Sequence, residues 1–146
     1  MESEGTTASR AASGNRLIEA GYALDGEDGC IAQARHHAMA FLEHATTEHL
    51  LMVPARARDL TQLVVSELVT NALKHAPGPV LMELGITAAR VEITVRDSAP
   101  VAPVVRAPDP GRIGQHGLEI VKSVSEHFAV LCESAGKRVV AWIALA

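Results

Sequence analysis

The chain has 146 residues, 48% apolar but only 3% aromatic, so it is long enough for one domain with a core of aliphatic side chains. Its formal charge of -4 is spread over interspersed acids and bases, which leaves no basic face of the kind that nucleic-acid binding needs. No apolar run approaches a membrane span and no leader pattern opens the chain, so a cytoplasmic protein is expected. Cys30 and Cys132 are far apart and fit no metal or redox spacing; they read as buried or idle thiols.

Residues 1–15 are small and polar and predict a disordered tail, with a single domain over 16–146. Arg16 to Leu24 suits a short edge strand, closed by a turn at Asp25-Gly26-Glu27-Asp28-Gly29. Ala34, Ala38, Phe41, Leu42 and Ala45 recur at helical intervals and predict an amphipathic helix from Ile31. His36, His37, His44 and His49 lie on or just after it without a compact ligand pattern, and read as surface histidines.

Pro54 suits the entry to a second helix, and Ala76-Pro77-Gly78-Pro79 stops it. Between them Val64, Val65, Leu68, Val69, Ala72 and Leu73 form one apolar stripe. Residues 80–86 and 90–96 read as adjacent strands. In the second, Val91, Ile93 and Val95 point inward and Glu92, Thr94 and Arg96 outward, so one face of the sheet is expected to be open. Residues 98–115 are proline-rich and aperiodic, which suits a lid or binding loop. A helix is predicted from Gly117 to about His127. Residues 128–132 and 139–145 then read as a strand pair across Glu133-Ser134-Ala135-Gly136-Lys137. Helices on one face of a mixed sheet make an α+β two-layer sandwich.

Glu67, Asn71 and His75 are spaced four apart and stack along one line of the second helix. A carboxylate, a carboxamide and an imidazole in a column can hold a hydrated divalent cation and orient a water. The same line equally suits the solvated side of a half-buried helix. Asp97 ends a strand, where a carboxylate can bind a ligand or simply close a turn.

Ser66-Glu67-Leu68-Val69-Thr70-Asn71-Ala72-Leu73-Lys74-His75-Ala76 resembles the asparagine box of the GHKL (Bergerat-fold) ATP-binding superfamily. Two further boxes follow in order, Val95-Arg96-Asp97-Ser98-Ala99-Pro100 and Gly114-Gln115-His116-Gly117-Leu118-Glu119-Ile120-Val121. The resemblance covers roughly residues 17 to 146 and is strongest to the small anti-sigma-factor serine/threonine kinases.

That resemblance implies an ATP-binding protein that uses Mg²⁺, with Glu67 as general base and Asn71 as metal ligand. It places Lys74 and His75 near the phosphates, Asp97 on the exocyclic amine of adenine, and Gly114, His116, Gly117 and Leu118 along the nucleotide. The sequence departs from the family pattern in three places. Asp97-Ser98-Ala99-Pro100 stands where a glycine-rich Asp-x-Gly-x-Gly is usual, and an extra residue separates Gly114 from Gly117. Gly136-Lys137-Arg138 stands where a threonine follows the glycine, with Arg138 at about that position and Lys137 near the nucleotide. The implied partners are a sigma factor or an antagonist protein, with homodimers common among relatives. The altered boxes also suit a non-catalytic nucleotide-binding module. A detached histidine-kinase catalytic domain is a third reading, but no acceptor box follows His36 or His37.

Overall fold

The structure is a computed structural model that describes residues 16–76, 78–97, 113–133 and 136–146, with backbone alone for 113–116. The expected tail at 1–15 and most of the expected lid, 98–112, lie outside the described residues. In chain order the elements are β1 (Ile18–Leu24), α1 (Cys30–His49), α2 (Ala55–His75), β2 (Val80–Ile86), β3 (Arg90–Arg96), α3 (Ile113–Val124), β4 (His127–Glu133) and β5 (Gly136–Ala144).

The strands form one sheet in the order β1-β2-β3-β5-β4. The expected α+β two-layer sandwich is present, but its sheet is antiparallel at every pairing rather than mixed. The cause is where β5 returns. α3 carries the chain from β3 to β4, and those two strands run in the same direction. β5 then folds back from β4 as a hairpin and enters between them, so the parallel strands never become neighbours.

One face of the sheet supplies Leu24, Met82, Leu84, Ile86, Val91, Ile93, Val95, Val139, Ala141 and Ile143 to the core. α2 lies against it with Ala57, Val64, Val65, Leu68, Val69 and Ala72 buried, the stripe that its 3.6-residue period predicts. α1 packs beside α2 through Ala34, Ala38, Phe41, Leu42 and Ala45, and its small alanines let the two helices approach closely. Cys30 is buried and Cys132 exposed, both as free thiols. No helix among the described residues is long and apolar enough to cross a membrane.

The opposite face of the sheet is less open than alternation suggests. Glu92 is only 2% exposed and Thr94 is buried as well. Arg16 donates from Nε to Glu92 Oε1 at 2.7 Å and from Nη1 to Glu19 at 2.8 Å, while Arg90 Nε donates to Glu92 Oε2 at 2.9 Å. Arg90 in turn lies 3.8 Å over the Trp142 ring. The Arg16 side chain crosses Gly85, where an added Cβ would sit 2.7 Å from its Nε. A two-residue period identifies the face on which Glu92 lies, but not that Arg16, 76 residues away in sequence, covers it. Glu92→Ala removes the carboxylate that both arginines share and is expected to lower stability by about 2–4 kcal/mol, read as a shifted urea midpoint. A change below about 0.5 kcal/mol would make the network a surface decoration.

Candidate functional site

Glu67 is half-buried, Asn71 is 3% exposed, and His75 is exposed. The column drifts because four residues advance an α-helix by about 40° more than one turn. By His75 the drift has carried the side chain to the rim. Its Nδ1 lies 3.0 Å from the main-chain oxygen of Asn71, a contact in which the ring nitrogen donates. Lys74 is exposed beside it. The helix therefore offers Glu67 and Asn71 to the space beside the sheet and leaves Lys74 and His75 at its edge.

Asp97 follows β3 directly and is 5% exposed. Its N–H donates to the Lys137 carbonyl at 3.0 Å, and Lys137 N–H donates to Asp97 Oδ1 at 2.9 Å. The pair continues the β3–β5 ladder one step beyond Arg96 and Arg138, with a side-chain oxygen as the second acceptor. Gly136 enters β5 with φ of 136°, a conformation strained for any side-chain-bearing residue. Strand alternation then places Lys137 on the helix-facing side with Val139, Ala141 and Ile143. Arg138 takes the other face and bonds Glu133 at 3.0 Å.

Lys137 Nζ donates to Asn71 Oδ1 at 3.3 Å. This contact fixes the amide orientation, since the reverse would set an NH₂ group against an ammonium. Asn71 Nδ2 is buried with no hydrogen-bond partner among the described residues. A buried donor left unsatisfied costs about 1–3 kcal/mol, so this atom fits a ligand that brings an acceptor. Burial pushes the Lys137 ammonium below its ordinary value, while the charge of Asp97 pulls the other way. A neutral amide is thus its hydrogen-bond partner, with the Asp97 charge acting on it from nearby.

α3 begins at Ile113, one turn earlier than the predicted start at Gly117, and ends at Val124. Gly114 and His116 therefore lie in its first turn, where main-chain N–H groups have no partner within the helix. The His116 side chain is outside the described residues. Gly117 is a packing glycine rather than a capping one. A Cβ there would lie 2.3 Å from Glu67 Oε1, so the absent side chain is the space that the carboxylate occupies. Leu118, the next residue, is half-buried against the core.

The Glu67 carboxylate on α2, the amide one turn on, the anchored Asp97 and the Lys137 ammonium thus converge where α2, α3 and the start of β5 meet. The sequence of residues 30–143 matches the family model of the histidine kinase-like ATPase domain. The chain belongs to this family. The match spans α1 to β5 and identifies the protein as a member of the GHKL superfamily, whose domains bind ATP. A comparison with curated proteins gives no match.

Members of this ATPase family usually take ATP with Mg²⁺. No group of three His, Cys, Asp or Glu side chains able to hold a metal occurs among the described residues. The donor set still fits a metal that arrives with a nucleotide. Mg²⁺ takes one or two protein oxygens and fills its shell with water and phosphate, and Asn71 Oδ1 is such an oxygen. Of the residues singled out in the sequence, Glu67, Asn71, Asp97, Gly117 and Lys137 are brought together. The contact between Lys137 and Asn71, 66 residues apart, carries no local sequence signal.

Proposed function

We propose that this histidine kinase-like ATPase domain binds Mg-ATP and phosphorylates a serine or threonine hydroxyl on a partner protein, in the manner of anti-sigma-factor kinases. One observation carries the reading: Glu67 is held against Gly117 and one helical turn from Asn71, beside the first turn of α3. Glu67 accepts the hydroxyl proton as that oxygen bonds to the γ-phosphorus. The bond from phosphorus to the bridging oxygen breaks, and ADP leaves. Asn71 offers Oδ1 to a cation and Nδ2 to a phosphate oxygen, and the first-turn N–H groups of α3 suit the remaining phosphate charge. Asp97 accepts from the exocyclic amine of adenine, which guanine lacks at that position. Mg²⁺, when bound, offsets negative charge on the phosphates.

The partner in this reading is a sigma factor or the antagonist that opposes it, and the kinase acts in the cytoplasm, with a homodimer as its working form. Calorimetric titration with ATP and GTP tests the pocket. Asp97→Asn keeps an acceptor for Lys137 N–H but loses the charge that the adenine amine meets. It is expected to weaken ATP binding by about 10–100-fold, the range for a hydrogen bond to a charged group. Equal affinity for ATP and GTP in the wild type would sink the adenine assignment.

A non-catalytic nucleotide-binding module is favoured by the Lys137 ammonium on the oxygen that a metal would use. Incubation of the wild type with ATP separates the two readings. Turnover or labelling of a partner supports the kinase, and tight binding without either supports the module.

A further inference from the structure

We infer that Lys137 is a resident cation of the nucleotide site, competing with a divalent metal ion for Oδ1 of Asn71 and sustaining nucleotide binding when no metal is present. The inference rests on the ATP-site reading above and deepens it.

The geometry comes from the strand register. Gly136, at φ of 136°, sets β5 so that Lys137 faces the helices and Arg138 faces away. The backbone of Lys137 is fixed by its reciprocal bonds with Asp97 at 2.9 and 3.0 Å, which leaves only the four-carbon stem to move. That stem delivers Nζ to 3.3 Å from Asn71 Oδ1. The other basic side chains nearby are placed differently. Lys74 and His75 are exposed at the end of α2, and Arg138 is engaged with Glu133.

The chemistry follows from the donors and acceptors. The amide of Asn71 is 3% exposed and turns its oxygen to the ammonium, leaving a buried Nδ2 donor with no partner among the described residues. The ammonium and the unpartnered amide N–H, brought together on one carboxamide, are both completed by phosphate oxygens. A divalent ion bound through the same Oδ1 would meet the Lys137 charge at short range in a half-buried site, where water screens it poorly. Two cations on one carboxamide oxygen repel, so the metal must displace the lysine. Lysine suits such an exchange. Its compact charge moves on a flexible stem, whereas the planar fork of an arginine is held by several bonds at once.

The test is calorimetric titration of ATP into wild type and Lys137→Thr, each with excess Mg²⁺ and with EDTA. Wild type is expected to bind ATP in EDTA within about fivefold of its affinity in Mg²⁺, whereas Lys137→Thr loses about 30-fold or more in EDTA and little in Mg²⁺. Lys137→Arg retains the charge and is expected to keep most of the metal-free binding, which separates a charge effect from a packing effect should Lys137→Thr fold poorly. Strictly metal-dependent binding by the wild type, or the same EDTA-to-Mg²⁺ ratio in all three proteins, overturns this inference and leaves the ATP site standing. No binding of ATP by any of them overturns the ATP-site reading and this inference together.

Discussion

Glu67→Gln is expected to lower phosphoryl transfer by about 10²–10⁴-fold while ATP affinity changes by less than about threefold. The substitution keeps the length and shape of the side chain and removes its charge and its capacity to take a proton. Glu67 touches the Gly117 backbone through Oε1, a contact that an amide oxygen can also make, so the packing of α2 on α3 is preserved. A single-turnover assay with labelled ATP reads the chemical step apart from binding and release. Unchanged transfer would assign the proton to another group. An equal loss of affinity and rate would make Glu67 a binding residue.

Gly117→Ala is expected to reduce the same rate by about 10²-fold with no loss of stability. The added Cβ would meet Glu67 Oε1 at 2.3 Å, well inside contact distance. The obstructed atom is the far end of a flexible side chain, so the clash is relieved by rotating the carboxylate rather than by parting the helices. Alanine is also better than glycine inside a helix, by about 0.5–1 kcal/mol. The variant should therefore unfold at the same urea concentration as the wild type or higher, and still be slow. A destabilised Gly117→Ala would mean that α3 cannot adjust and that the glycine is there for packing alone. A stable, fully active one would remove Glu67 from the mechanism.

The three boxes are legible in the sequence because each is local. Glu67 and Asn71 lie one turn apart on α2, so helical period alone brings them to nearly the same face. Asp97 follows a strand whose alternation is clear, and the strands at Val80–Ile86 and Arg90–Arg96 fall at their predicted bounds. The glycines of the third box are legible as positions of close approach, but what they approach is not. The helix there starts at Ile113, one turn before the glycine that the sequence suggests as its first residue. Gly117 then sits inside a helix and makes room for Glu67, 50 residues earlier in the chain.

Local sequence was enough for the composition of the core, the identity of the helices and strands, and a family-specific set of polar residues, since all of these follow from periods of two to four residues and from short motifs. How those residues pair depends on the packed fold. Sheet order depends on β5 entering between β3 and β4, which no local propensity encodes. That insertion carries Lys137 to Asn71 and Asp97, sends Arg138 to the far face, and lets Trp142 lie beneath Arg90 near the buried Glu92. Contacts between residues 40 to 76 positions apart are set by strand register and helix packing, and there Lys137, which the motif sets only near the nucleotide, gains Asn71 as its partner.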